Sequence, residues 1–202
     1  MDSGLNADAL LWQAFQQGDR RAFAAIYRQY FRNLYEYGLR VAEDKSLVKD
    51  SIQDLFIKLW SNRLQLSSVR NVKSYLLVSL RSTIFNKTKQ SRRTKIIGIE
   101  DQHSFELNFT VESAYLEKEA VSERSRNLLN ALNQLTPKQK EIIYLKYFEE
   151  LEYNEIAAIL NISVKATYKL SARAIVALRE IMNTPGFSLL MIISLAKEEL
   201  LS

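Results

Sequence analysis

The chain of 202 residues carries a net charge of +5 and has no cysteine, which excludes disulfide bonds and thiolate metal sites and fits a reducing cytoplasm. Its five glycines and two prolines are few for a β-rich or disordered chain, so we expect a soluble all-α protein. The longest apolar run, at 187–196, is far shorter than the roughly 20 residues that a membrane span needs. The first residues lack the basic and apolar regions of a secretory signal. We therefore expect a cytoplasmic location without direct membrane insertion.

Charge is distributed unevenly along the chain. Residues 55–99 contain ten lysines and arginines and no acidic residue, whereas residues 100–123 contain seven acidic residues and one lysine. The basic block indicates nucleic-acid binding, and the acidic block indicates a different role. The alternative for the basic block is a general affinity for nucleic acids or lipids.

Apolar residues at helical spacing predict four helices in the first part of the chain. Asp8 is predicted to cap a short first helix, and Asp19 to cap a longer second one. Apolar residues of the second helix fall three and four positions apart, and we expect them in the core: Phe23, Ile26, Tyr27, Tyr30, Phe31 and Leu34. With further helices at about 47–62 and 74–92, residues 1–93 are predicted to form an all-helical domain.

Helical periodicity is weak after this domain and then returns. The acidic residues 94–121 are predicted to be a partly extended linker, and residues 122–182 a second small helical domain. Thr136 and Pro137 predict a helix start inside it. Residues 183–202 begin with a break and predict a short apolar tail helix, which either packs on one of the two domains or docks on a partner.

The second domain contains the pattern of a helix-turn-helix, with helices at 153–160 and 164–181. Ser163 is predicted to cap the second of these helices, and Ile162 to fill the gap between them. Six residues of the second helix are expected in the core: Val164, Thr167, Leu170, Ser171, Ala174 and Leu178. Five are expected to face outward, as in a DNA-recognition helix: Lys165, Tyr168, Lys169, Ala172 and Arg173. The alternative is an ordinary helical hairpin with a solvated basic face.

A second stripe on the helix at 47–62 is typical of a protein interface. Asp50, Gln53, Asp54 and Ile57 share one face, opposite the apolar residues of that helix. An isoleucine among carboxylates and amides is ordinary in an interface with a polar rim. The alternative is an isoleucine that is exposed incidentally.

Three stretches in chain order resemble the sigma-70 superfamily of RNA polymerase sigma factors. KDSIQDLFIKLW (49–60) is similar to the helix that binds core polymerase, and SYLLVSLRSTIFNKTKQSRR (74–93) to the segment that binds and melts the −10 element. Residues 132–180 resemble the −35 binding domain. Their order and the short linker resemble the extracytoplasmic-function (ECF) group, although that family often has an aliphatic residue near Ser171.

The resemblance implies core RNA polymerase and promoter DNA as partners. The stripe of Asp50, Gln53, Asp54 and Ile57 would contact the polymerase. The loop 67–73 would hold a base turned out of the duplex, with Asn71 as its candidate reader. The predicted −10 set also contains basic residues that suit phosphate contacts: Lys73, Arg81, Lys87, Lys89, Arg92 and Arg93.

The resemblance also extends to regulation. VKATYKLSARA (164–174) is similar to the iron-citrate-type branch of the group, which implies control by an anti-sigma protein. The acidic linker would thread positively lined channels of the polymerase, although a solvated tether accounts for it as well.

We thus predict a transcription initiation factor rather than an enzyme, with no cofactor and no metal. His103, the only histidine, is expected at the surface of the linker. The alternatives are a stand-alone helix-turn-helix transcriptional regulator, which would bind its site without polymerase, and a helical adaptor without DNA.

Overall fold

The computed structural model describes residues 3–94, 105–106 and 123–201, and the chain divides into two compact units, Met1–Gln102 and His103–Ser202. Every regular element in these described residues is a helix, which confirms the predicted all-α fold. The predicted linker, including His103, lies largely outside the described residues. None of the described helices is long and apolar enough to cross a membrane.

The described part of the first unit, residues 3–94, contains four α-helices and one 3₁₀ turn at Arg63–Gln65. The helices are α1 (Ser3–Gln16), α2 (Arg20–Ala42), α3 (Lys45–Asn62) and α4 (Val72–Thr94). Helices α2, α3 and α4 pack against one another, and α1 packs on α2. The core contains apolar side chains from all four helices, among them Phe15, Leu34, Ile52, Leu76 and Leu80, each fully buried.

Helix α2 begins as predicted, but α1 does not. The Asp19 carboxylate accepts hydrogen bonds from two backbone amides of the first turn of α2, and this cap is confirmed. The prediction that Asp8 caps α1 is wrong because the helix begins earlier, at Ser3. Asp8 instead lies within α1 and accepts hydrogen bonds from Gln29 Nε2, at 2.8 Å, and from the Tyr30 hydroxyl. Burial, followed by this hydrogen bond, raises the pKa of Tyr30.

Helices α2 and α3 approach closely at a glycine. A Cβ atom added to Gly38 would lie 2.6 Å from Cγ1 of Val48, which is fully buried on α3. A non-bonded pair of carbon atoms does not tolerate that distance, so the crossing requires a residue without a side chain. Gly38 therefore fixes how the faces of α2 and α3 meet.

Among the described residues of the second unit there are five α-helices, and a π-helical turn at Tyr144–Phe148 directly follows the second of them. The helices are α5 (Glu123–Asn133), α6 (Pro137–Ile143), α7 (Tyr153–Leu160), α8 (Val164–Met182) and α9 (Gly186–Leu201). Thr136 and Gln139 form a reciprocal capping box at the start of α6, with Pro137 in its first turn. Ser163 Oγ accepts a hydrogen bond from the backbone amide of Ala166 at 3.2 Å. Both predicted helix starts are confirmed.

The apolar tail forms helix α9, which packs on α5, α8 and the π-helical turn of its own unit. Leu189, Ile193 and Ala196 are buried in this contact. Lys197 Nζ also pairs with the Glu150 carboxylate. Of the two alternatives for the tail, the structure therefore shows packing within the chain.

Candidate polymerase-binding and DNA-binding surfaces

Helix α3 presents the predicted interface stripe on its open side. Its buried face comprises Val48, Ile52, Leu55, Phe56 and Leu59. Of the stripe, Asp50 and Gln53 are exposed, Asp54 is partly exposed, and 55% of Ile57 is accessible to solvent. A large aliphatic side chain exposed beside charged and amide groups is therefore a real feature of this surface.

An aromatic row on α2 lies next to this stripe. Phe23, Tyr27, Phe31 and Tyr35 follow one another at intervals of four residues, and the rings of Tyr27 and Phe31 are 5.2 Å apart. The rings of Phe31 and Tyr35 are stacked at 6.0 Å. Tyr27 also meets Phe56 of α3 edge-on at 4.9 Å. The row therefore connects α2 with α3 at the surface of the unit.

The expectation that all six apolar residues of α2 lie in the core is wrong for three of them. Ile26, Tyr30 and Leu34 are buried, but Phe23 and Phe31 are only partly buried, and Tyr27 is 38% exposed. The apolar face of α2 is wider than the helices packed on it can cover, so its aromatic edge stays open. Sequence periodicity identified the face but not which edge of it a neighbouring helix covers.

The open edge forms a groove of about 520 Å³ between α2 and α3, which we call the α2–α3 groove. Its lining contains three residues of the aromatic row, two of the stripe and four neighbouring residues of α3: Phe23, Tyr27, Phe31, Gln53, Ile57, Lys49, Phe56, Trp60 and Ser61. An aromatic floor with a polar rim is the composition of a protein-binding surface. The sequence analysis did not predict this groove.

The structure joins one residue of the predicted polymerase-binding stripe to one of the predicted −10 set. Lys87 Nζ of α4 lies 2.8 Å from Asp54 Oδ2 of α3, and both side chains are partly exposed. An ion pair with this exposure contributes at most about 1 kcal/mol. Binding of either residue to an external partner would compete with this contact.

The remaining predicted −10 residues lie on or before α4 in different environments. Asn71 Oδ1 accepts a hydrogen bond from the backbone amide of Ser74 at 3.1 Å, so this side chain caps α4. The Arg81 guanidinium lies 4.6 Å from the centre of the Phe85 ring. Lys73 is partly buried and Lys89 is exposed. The side chains of Arg92 and Arg93 lie outside the described residues.

Side chains of α1 bind the backbone of the loop before α4. The sequence analysis did not predict these contacts. Trp12 is buried and donates from Nε1 to the backbone carbonyl of Ser67 at 3.3 Å. Gln16 Nε2 donates to the carbonyl of Leu66. The Trp12 ring also meets Tyr75 of α4 edge-on at 5.4 Å. These contacts fix the start of the loop 67–73, which was expected to hold an unpaired base, at Ser67 and at the residue before it.

The five outward residues predicted on α8 are all exposed in the structure. They lie on one side of the helix, and Tyr168 is 55% accessible to solvent. Val176, also exposed, extends this face by one turn. The arrangement suits insertion into a major groove, where lysine and arginine bind phosphates or guanine edges.

One predicted core position of the recognition helix is wrong. Val164 is 43% exposed, because the packed stripe of α8 begins one turn later, at Thr167. Ile162, which was predicted to fill the gap between the helices, is 36% exposed. Leu170 is only partly buried. The expected burial of Thr167, Ser171, Ala174 and Leu178 is confirmed.

A polar cluster beneath α8 accounts for the buried serine at position 171. Ser171 Oγ lies 3.2 Å from the hydroxyl of Tyr153 on α7, and the Tyr153 and Tyr168 rings are 4.1 Å apart. Lys146 Nζ lies 5.0 Å from the Tyr153 ring centre. Burial raises the pKa of the neighbouring Tyr147, and a hydrogen bond with Ser171 opposes this shift. The cluster holds Tyr168 in place on the exposed face of the recognition helix.

Most of the chain is similar in sequence to RNA polymerase sigma factors. A model described as sigma-70, region 4, matches residues 125–178, which include the helix-turn-helix. The RNA polymerase sigma factor YlaC of Bacillus subtilis (strain 168) is 24% identical over 164 residues, covering 81% of this chain and 93% of that protein. The RNA polymerase sigma factor NccH of Alcaligenes xylosoxydans xylosoxydans is 28% identical over 175 residues, covering 84% of this chain and 91% of that protein.

Two solved structures have a similar fold. CnrH, in complex with the cytosolic domain of CnrY, has a TM-score of 0.56 at 20% identity and covers 88% of this chain and 97% of its own. The sigma factor RpoE of Bartonella quintana, in complex with the anti-sigma factor NepR, has a TM-score of 0.54 at 19% identity. The match covers 80% of this chain and 97% of RpoE.

The chain is a transcription initiation factor rather than a stand-alone regulator, as its helix-turn-helix and its sequence relatives together indicate. Such factors are not enzymes. The chain is similar to RNA polymerase sigma factors of the extracytoplasmic-function group, and its residues 125–178 match the sigma-70 region 4 model, as the sequence resemblance predicted.

Proposed function

We propose that the chain binds core RNA polymerase through the α2–α3 groove and its adjoining stripe, and directs the polymerase to a subset of promoters. In this proposal Asp50, Gln53, Asp54 and Ile57 form the contact with the polymerase. The observation that carries it is the exposed Ile57 at the edge of an aromatic groove. Monomeric proteins seldom expose apolar surface of this kind without a partner for it.

Promoter recognition is divided between the two units in this proposal. The first unit contacts the −10 element with Lys73, Arg81, Lys87, Lys89, Arg92 and Arg93, and Asn71 contributes to the loop that holds an unpaired base. Asn71 uses its carbonyl oxygen to cap α4, so in this proposal its NH₂ group donates to an acceptor on the base. The second unit contacts the −35 element with Lys165, Tyr168, Lys169, Ala172 and Arg173.

Regulation by an anti-sigma protein is part of the same proposal. The two similar structures are complexes, one of them titled as a complex with an anti-sigma factor. A protein that occupied the α2–α3 groove would prevent the polymerase from binding there. The chain would then act in the cytoplasm, where the polymerase is, after release from its inhibitor.

Ile57→Glu is expected to weaken binding to core polymerase at least tenfold, about 1.4 kcal/mol. The change places a charge at the edge of an apolar contact, and because Ile57 is exposed on a helix, it should not unfold the unit. It is a cleaner test than a change at Asp54, which would also break the ion pair with Lys87. Binding would be measured by the anisotropy of the labelled chain titrated with core polymerase.

Leu64→Glu is the matched control for this experiment. Leu64 is 80% exposed but does not line the α2–α3 groove. The same substitution should therefore leave the affinity unchanged. Equal affinities for the wild-type chain and the Ile57 variant would mean that the stripe is only solvated.

A further inference from the structure

Two residues of the acidic segment are held firmly on the second unit. Phe105 is fully buried, and its ring centre lies 5.8 Å from that of Tyr144 in the π-helical turn. Glu106 accepts a hydrogen bond from Lys140 Nζ of α6 at 3.0 Å. Lys140 is itself buried, and an ammonium group removed from water requires such a partner. We call Phe105 and Glu106 the linker anchor.

We propose that the linker anchor limits how far apart the two promoter-binding units can lie, and so sets the preferred length of DNA between the −10 and −35 elements. This proposal rests on the function proposed above. It assigns a role in promoter specificity to residues that contact neither promoter element.

The physical basis is the number of residues that can span the distance between the units. Phe105 follows Thr94, the end of α4, by eleven positions, whereas Glu123, the start of α5, follows it by 29. At about 3.3–3.6 Å per residue, the anchored tether reaches at most about 40 Å and the unanchored one about 100 Å. Anchoring at Phe105 thus removes more than half of the available reach.

The spacing of the promoter elements depends on this reach. Each added base pair moves two elements on the same duplex apart by about 3.4 Å. It also rotates them relative to each other, since one helical turn takes about 10–10.5 base pairs. A tether of limited reach therefore opposes longer spacers, and a tether of greater reach opposes them less.

The position of an insertion relative to the anchor tests the proposal without disturbing the anchor. Gly-Ser-Gly-Ser inserted after residue 98 lengthens the anchored tether, whereas the same insertion after residue 114 lies beyond the anchor. Transcription by core polymerase with each chain would be measured on promoters that differ only in spacer length. We expect the first insertion to move the optimum to longer spacers by at least one base pair, and the second to leave it unchanged.

Removing the anchor should abolish the difference between the two insertions. With Phe105→Ala, both insertions should have the same effect, and the spacer preference should become broader. Phe105→Leu keeps an apolar side chain in the site and should preserve the wild-type preference. Thermal unfolding of each variant would show whether the second unit remains folded.

The outcomes separate this proposal from the proposed function. Core-dependent transcription by the wild-type chain, with equal effects of the two insertions, would overturn the role of the anchor and leave the function intact. An absence of core-dependent transcription from every promoter would overturn the function itself, and the anchor proposal with it.

Discussion

Gly38→Ala is expected to lower the free energy of unfolding by about 2 kcal/mol, although alanine favours helices over glycine by about 1 kcal/mol. The added methyl carbon would lie 2.6 Å from Cγ1 of Val48 and 3.5 Å from Cδ1 of Ile84. Val48 is fully buried and β-branched, so it has no other rotamer into which it can move at low cost. Helices α2 and α3 must then separate. Urea denaturation would measure the loss.

The double variant Gly38→Ala, Val48→Ala tests the stated cause. Truncating Val48 removes the two methyl groups that the new Cβ would meet, both within 3.4 Å. The two substitutions should therefore cost less together than the sum of their separate costs, because they act on one contact. Strict additivity would show that Gly38 is needed for another reason. Since the crossing also positions the α2–α3 groove, Gly38→Ala should weaken polymerase binding in the same series.

The second large effect is expected on the recognition helix α8. There Lys169 and Arg173 should make different kinds of contact with DNA. We expect Lys169→Ala to cost about 1–3 kcal/mol and to relax the preference at one position of the −35 element, as for a base contact. Arg173→Ala should weaken binding to all promoters alike and reduce the salt dependence by about one counterion, as for a phosphate contact. Arg173 lies more than two turns into α8, farther from the end that enters a major groove most deeply.

Binding of holoenzyme to promoters with single changes in the −35 element, measured at several salt concentrations, would distinguish the two contacts. Arg179→Ala is the matched control, since Arg179 is exposed in the last turn of the same helix. This variant should bind like the wild type. If all three variants had the promoter preference and salt dependence of the wild type, α8 would have no role in DNA recognition.

Features set by neighbouring residues could be predicted from the sequence. The Ser163 cap and the capping box at Thr136 depend on groups within three residues of one another, and both are present. The exposed face of α8 also follows from local periodicity, because a helix buried on one side must expose the other. Local chemistry is visible in a sequence for this reason.

Features set by distant parts of the chain could not be predicted. Tyr27 falls on the apolar face of α2, but its exposure depends on where α3 crosses. Nothing near Trp12 indicates that it holds the carbonyl of Ser67. Phe105 lies in a polar, acidic stretch, and its burial depends on a site built around Tyr144. In each case the decisive contact joins residues far apart in sequence.

Transcription from a library of randomised promoters, with purified core polymerase from the same bacterium, tests the central claim most directly. The account predicts transcripts only when the chain is added, and all active promoters should share one −10 and one −35 sequence. The chain alone should show no comparable binding to those promoters. Tight, specific binding of the chain alone as a dimer, with no stimulation of core polymerase, would contradict the account.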